Sequence, residues 1–341
     1  MVTMTDIARI SGYSRATVSA VLGDKPGVST EARDRILTVV REQHYVPNQL
    51  ATSLVGKRSK LIGLVVRDIA NPYFTMIADG IESLLSAQGY NTLYFSTKED
   101  HDREVQALRT LASYRAAGVI LTPVLRGVSL EHLWMFAASK TPVISIERVP
   151  GLPIDYVDFN NERAAHLATE HLIRAGHRRI CYLAGPETSQ SSAERARGFQ
   201  LAHLRLGVPY DDARIIACGS SSADGYAAAL QIYKEKSAAR RPTALFCFSD
   251  LVALGVYQAA HKLGLRIPDD LSVVGCDDID MSSILGPALT TVSFSVREVG
   301  RFVAQRMIEA VRNGRPAGGL AEVFHPRLIE RDSVRIVEPA A

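Results

Sequence analysis

The sequence predicts an all-α head joined to a larger α/β body of parallel sheets, and three observations carry that prediction. Up to about residue 60 the chain shows three short helical patterns and no strand-like run. From Lys60 onward, continuous apolar runs alternate with longer amphipathic helices, the pattern of parallel strands covered on both faces. The charge divides at the same place. Residues 1–60 hold nine Lys/Arg against five Asp/Glu, a net +4, and the rest hold 30 against 31, a net −1. The whole-chain value of +3 hides this asymmetry, which points to a nucleic-acid-binding end.

In the head, a Thr3-x-x-Asp6 capping box opens the first helix, with Ile7, Ala8 and Ile10 as its apolar face. Ser11-Gly12-Tyr13 breaks it. Ser14 caps a second helix, whose apolar residues are Val18, Val21 and Leu22. Gly23–Val28 reads as a loop. Ser29 caps a third helix to about His44, with Ile36, Leu37 and Val40 at helical spacing. Pro47 stops that pattern, and Asn48–Leu54 forms at most one or two further turns, too short to stand alone in water. Small Ala8 lets the second helix approach the first, Gly12 permits the tight turn, and Val18 packs the pair. Arg15, Ala16, Thr17, Ser19 and Ala20 are left on or near the outer, N-terminal part of the second helix. That is the part that enters the major groove in a helix-turn-helix.

In the body, the candidate strands are Leu61–Arg67, Thr92–Ser96, Gly118–Thr122, Val143–Glu147, Arg179–Ala184, Arg214–Cys218, Ala244–Ser249 and Leu271–Cys276. Helical patterns lie between them, among them Phe74–Gln88, Arg103–Tyr114, Glu162–Arg174, Ala193–Leu206, Ala223–Lys236 and Leu251–Leu263. So many strands exceed one short open sheet, so two doubly wound lobes with a cleft between them are expected, the boundary falling at Asp155–Asn161. Several classes are disfavoured. No apolar run approaches the length of a membrane helix. The N-terminus has no secretory pattern. Cys181, Cys218, Cys247 and Cys276 are far apart in apolar runs, as free thiols of a reducing cytoplasm are. The phosphate-loop, dinucleotide, nucleophile-elbow and zinc-protease motifs are absent. The nine histidines show no metal-ligand spacing, since His166 and His171 are five apart, and His177 reads as a cap to the following strand. No metal, cofactor or catalytic residue is expected.

These segments together carry a resemblance. Met4–Ala8, Ala16–Ser19, Pro26-Gly27-Val28-Ser29 and His44–Asn48 resemble the head of the LacI/GalR family of bacterial repressors. Leu61–Val65, Asn71–Phe74, Glu170-His171-Leu172, Gly176–Ile180, Ser192–Arg195 with Gly198, Pro268–Asp278 and Leu289–Val292 extend it along essentially the whole chain. The resemblance implies a helix-turn-helix domain at 1–46, a hinge helix and linker at 47–59, and an effector-binding and dimerisation domain at 60–341. It implies a hinge helix ordered only on operator DNA, with Leu54 wedged into the minor groove to bend the duplex. Thr5 joins the DNA-contacting set; Ser14, Thr17 and Asn48 fit phosphate contacts that set register. One departure matters. Ala20 stands where the family usually has a large polar residue, so Arg15 is left as the main base reader.

The resemblance gives the body the fold of periplasmic sugar-binding proteins. The chain is expected to cross between lobes near 160, 290 and 320, giving an N-lobe at about 60–160 and 291–320 and a C-lobe at about 161–290 and 321–341. The implied effector residues are Tyr73, Phe74, Arg148, Asn160, Arg195, Ser249 and Asp277, with Asp278 as the alternative to the last. Asn160-Asn161 stands where the family often has Asp-Asn, and Ser249-Asp250 where it often has Asn-Asp. A sugar or sugar derivative is the commonest family effector, and the residues leave a purine-like, anionic or phosphorylated one open. The expected protein is a cytoplasmic, homodimeric, effector-controlled transcriptional regulator, a repressor by family habit, bound to double-stranded operator DNA and not to membranes. A cytoplasmic α/β enzyme and a pure ligand-binding protein are the rivals.

Overall fold

The computed structural model describes residues 2–46, 59–124, 131–138, 141–149, 151–152, 154–187, 189–210, 214–235, 240–314, 319 and 321–337. The expected hinge, with Asn48 and Leu54, lies outside them. The chain divides into two compact units, residues 1–59 and 60–341.

The first unit holds α1 (Met4–Ser11), α2 (Arg15–Leu22) and α3 (Thr30–Glu42). The capping box closes as expected: the Asp6 N–H donates to Thr3 Oγ1, and Asp6 Oδ2 accepts the Thr3 N–H at 3.0 Å. Gly12 ends α1 at φ +81°, a left-handed conformation that costs glycine little. Ser14 and Ser29 each accept an N–H of the first turn they cap. Ile7, Ala8, Val18, Val21, Ile36 and Val39 form the core. Four expected apolar residues are not in it, and of these Leu22 and Val40 pack partly buried against it. Ile10 and Leu37 sit at the surface, and in α3 the buried stripe runs Ala32, Ile36, Val39.

The second unit contains two parallel sheets. The first has the order β11-β5-β4-β3-β1-β2, from β1 (Leu61–Val66), β2 (Asn91–Ser96), β3 (Gly118–Leu121), β4 (Val143–Ile146), β5 (Asp155–Phe159) and β11 (Ala321–Phe324). The second has the order β7-β6-β8-β9, from β6 (Ile180–Ala184), β7 (Ile215–Ala217), β8 (Ala244–Cys247) and β9 (Ser272–Val274). Every hydrogen-bonded pair within these two sheets is parallel. β3, β4, β6, β8 and β9 are buried along their whole length, as continuous apolar runs require. β10 (Thr291–Ser293) and β12 (Arg327–Ile329) pair antiparallel as a separate ribbon.

Helices join the strands: α4 (Pro72–Ala87), α5 (His101–Ser113), α6 (Trp134–Ala138), α7 (Asn161–Arg174), α8 (Gln190–Arg205), α9 (Ser222–Glu235), α10 (Asp250–Leu263) and α11 (Val296–Asn313). Asn71 caps α4 and Pro72 supplies its first residue, where a missing N–H costs nothing. α11 lies against α4 with the backbones in close approach. A Cβ on Gly80 would fall 2.2 Å from the Arg297 carbonyl oxygen, and one on Gly300 2.4 Å from that of Ile77. Only glycine fits at either position.

The chain passes from the first sheet to the second between β5 and α7. It returns through β10 and α11, and leaves again after β11. The last crossing is therefore at 324–327, not near 320: Ala321–Phe324 pairs with Tyr156–Phe159 and belongs to the first lobe. Asp155–Asn161, expected as a boundary, is mostly the strand β5. The four cysteines are free, three of them buried.

Candidate functional site

Both sheets of the second unit present their strand carboxyl ends to one cavity of about 280 Å³. That is where open α/β sheets take ligands. From the first lobe, Arg67 follows β1 and Glu147 follows β4, and the two are ion-paired. From the second lobe, Arg195 projects from α8 and Asp277 follows β9 by three residues, with 3.8 Å between them. Each lobe thus contributes an arginine beside a carboxylate, and the first adds Asp68, Lys98 and Glu99 to the wall. Glu147 and Asp277 have φ of +108° and +120°, strained values for residues with a Cβ, of the kind that gathers at ligand sites.

Arg195 is 6 % exposed and is held on several sides. Its Nε donates to Asn161 Oδ1 at 3.1 Å, Nη1 donates to the Phe248 carbonyl, and the guanidinium stands 4.8 Å from the centre of the Phe248 ring. Asn161 is oriented in turn by the Phe159 carbonyl and Glu194. Burial pushes the Asp277 carboxyl up to about 8, against the pull of Arg195 and with a push from Asp250. Asp250 anchors the loop beyond it, accepting from the Ile279 N–H at 3.0 Å, Ser282 Oγ at 2.6 Å and Thr291 Oγ1 at 2.5 Å. In the first lobe, Arg67 lies over the Phe74 ring at 5.5 Å, and its Nε is buried with no hydrogen-bond partner among the described residues. Burial, with Asp277 and Glu147 near, raises the Tyr73 phenol well above its ordinary value, so it stays a donor.

The cavity brings together five of the seven residues expected from the sequence: Tyr73, Phe74, Arg195, Ser249 and Asp277. Ser249 spends its hydroxyl on the Val252 N–H as the cap of α10. Arg148 and Asn160 are not in the lining. Glu147, with its positive φ, occupies the wall, and the next residue, Arg148, is exposed. Asn160 caps α7 through the Arg163 N–H, and Asn161 reaches the cavity instead. Sequence reasoning also missed Arg67, Phe159 and Phe248. Arg67 and Glu147 each directly follow a strand, and each is the last residue of an apolar run read from the sequence.

In the first unit, Ser14, Arg15, Ala16 and Ser19 are exposed on α2, as is Thr5 on α1, while Thr17 and Ala20 are half-buried. Ser14 Oγ holds the Thr17 N–H at 3.1 Å and meets its hydroxyl at 2.9 Å. Arg15 makes no ion pair among the described residues.

Comparison with known proteins gives a consistent answer. Residues 3–48 match the family model for bacterial regulatory proteins of the lacI family, and residues 59–326 match that for periplasmic binding proteins and the sugar-binding domain of the LacI family. The HTH-type transcriptional regulator DegA of Bacillus subtilis (strain 168) is 32% identical over 97% of both chains. The lac repressor dimer bound to operator and the anti-inducer ONPF is 27% identical, with a TM-score of 0.84 over 98% of this chain and 99% of that one. The complex of the transcriptional regulator CelR with cellobiose is also 27% identical, with a TM-score of 0.71 over 98% of this chain and 100% of that one.

Proposed function

The chain belongs to the LacI family of bacterial transcriptional regulators, and from that premise we propose a cytoplasmic homodimeric repressor whose operator affinity is set by a small polyhydroxylated molecule, a sugar or sugar derivative. The observation that carries the effector reading is the cavity's chemistry. Arginines alternate with carboxylates, Asn161, Gln190 and Ser221 add amide and hydroxyl groups, and the rings of Tyr73, Phe159 and Phe248 supply apolar faces. Donors and acceptors in alternation suit hydroxyls, which are both; aromatic faces suit the C–H side of a sugar ring. The solved CelR complex holds cellobiose, which is one such molecule.

The cavity is read as a binding site and not a catalytic one, because Glu147, Asp277 and Asp68 each stand beside a cation of their own lobe, Arg67, Arg195 and Lys98. On the DNA side, two heads of a dimer meet the halves of a pseudo-palindromic operator; the solved lac repressor is likewise a dimer bound to operator. Arg15 reads a base, Thr5, Ser14, Thr17 and Asn48 fix the backbone, Ala16, Ser19 and Ala20 pack against base edges, and Leu54 wedges the centre. Effector binding favours one arrangement of the lobes and changes DNA affinity through that preference.

The test uses the full chain. A duplex selected by the protein is titrated by fluorescence anisotropy, and metabolites are screened for those that shift both the melting temperature and the anisotropy curve. The Arg195→Ala variant is expected to bind the duplex normally and to lose the effector's shift by roughly 100-fold in concentration, two charge-assisted hydrogen bonds being gone. An undiminished response in that variant refutes the assignment of the cavity.

A further inference from the structure

We propose that the first lobe carries a site for one divalent transition-metal ion of the zinc class, formed by His101, Glu104 and His132. No such spacing was visible in the sequence, because 28 residues separate Glu104 from His132. The fold closes that distance. α5 begins at His101 and places Glu104 one turn further on, while a short 3-10 turn, Glu131–Leu133, brings His132 against them. One ligand atom from each residue lies within 4.8 Å of the other two. Donors about 2.0–2.2 Å from a tetrahedral zinc stand about 3.4 Å apart, so on binding no pair closes by more than about 1.4 Å, and Glu104 Oε1 and His132 Nε2, now 2.7 Å apart, open by about 0.7 Å.

Three details favour a ligand set over a chance contact. Glu104 is completely buried, yet it is a carboxylate in a lobe core of apolar residues. Its Oε2 accepts the Val124 N–H at 2.7 Å, and its Oε1 faces His132 Nε2 at 2.7 Å. The His101 ring stands edge-on to that of His132, with centroids 4.9 Å apart, and its Nδ1 is buried with no hydrogen-bond partner among the described residues. Two imidazoles and one carboxylate form the mixed nitrogen and oxygen set that borderline ions such as Zn²⁺ and Co²⁺ prefer over Mg²⁺ or Ca²⁺. Three protein ligands leave a fourth position for water. The site backs directly on the cavity described above, since Val124, held by Glu104, is part of its wall.

The chain carries its own reporter. Trp134, the sole tryptophan, is two residues from His132 and half-exposed. Full-length protein stripped with a chelator is titrated with Co²⁺, reading Trp134 emission and the visible ligand-field bands, and then with Zn²⁺ against a chromophoric chelator. One equivalent per chain is expected, with cobalt quenching Trp134 and zinc reversing the quench. His101→Ala and His132→Ala should each weaken binding about tenfold or more. His101→Ala breaks no hydrogen bond made by Nδ1, so it remains decisive where its partner variant misfolds by circular dichroism. Absent stoichiometric binding, binding without quenching, or full affinity in the folded His101→Ala protein would overturn the proposal and leave Glu104–His132 as a buried hydrogen bond alone.

Discussion

Replacing Asp277 by asparagine reads the charge state of the cavity's most buried carboxyl. Burial raises this group from 3.8 to about 8, although the Arg195 guanidinium 3.8 Å away pulls in the other direction. Keeping it protonated in the folded protein at pH 7, where the unfolded chain has ionised, costs about three pH units, on the order of 4 kcal/mol. The unfolded chain gives up this proton near pH 4, and the folded chain keeps it to about pH 8. The folded state therefore binds more protons across that window. Its contribution to stability is complete below pH 4 and is lost as the pH rises towards 8. The Asp277→Asn variant has no proton to lose and is free of that slope. Urea denaturation of both proteins at pH 5 and pH 8 measures it. The variant's stability relative to the wild type is expected to rise between the two pH values by roughly 4 kcal/mol. A variant weaker than the wild type by about 3–5 kcal/mol at both pH values would mean that a buried ion pair had been broken. Asp277 would then be ionised throughout, and the reasoning would be wrong.

Two further outcomes are expected. His177 is buried, its Nδ1 is 2.9 Å from Thr243 Oγ1, and burial, with Arg335 near, lowers it to about 4. Here the unfolded chain binds the extra proton, so the stability this group lends is present above about pH 6.5 and falls away as the pH drops to 4; His177→Gln should flatten that limb of a melting-temperature profile. Arg15→Ala should leave the head's stability unchanged and weaken binding to a selected duplex by roughly 5–100-fold, with preference relaxed at one base pair. Uniform weakening across sequences, with a salt slope lower by about 1, would make Arg15 a phosphate contact instead.

The architecture was legible where the chain is apolar and periodic. The strands β1, β3, β4, β6, β8 and β9 were found because burial on both faces demands continuous Val, Ile and Leu. β5, β10, β11 and β12 were missed for the opposite reason. Asp155-Tyr-Val-Asp-Phe carries two carboxylates in five residues, and β11 is an edge strand with mostly exposed side chains, so only pairing with β5 defines it. The segment of α11 was expected in the first lobe, but its helix was not among the patterns read, and its packing against α4 depends on Gly80 and Gly300, 220 positions apart. In the site, errors of one residue were decisive. A strand end aims alternate side chains to opposite sides, and a positive φ at Glu147 resets that alternation, which no propensity reports. The metal-like cluster was illegible altogether, since local spacing cannot see a contact made by tertiary folding.

The distribution of charge in the cavity also bears on how a ligand would be felt. Arg67 and Glu147 belong to the first lobe, Arg195 and Asp277 to the second, and each pair is satisfied within its own lobe. Neither pair ties the lobes together, so the cavity wall does not by itself fix their separation. A molecule that hydrogen-bonds Glu147 and Asp277 at once does so only when both walls are within its span, and it therefore favours the arrangement that brings them there. The lobes are joined elsewhere: Arg297, at the start of α11, reaches both Asp79 of α4 at 3.3 Å and Asp280 beyond β9 at 2.7 Å. These are surface pairs worth about 0–1 kcal/mol each, small against the several hydrogen bonds a cavity ligand can make. A continuous buried apolar cluster also runs through both lobes, so a ligand that spans the two walls shifts their balance only by the contacts it makes better in one arrangement than in the other.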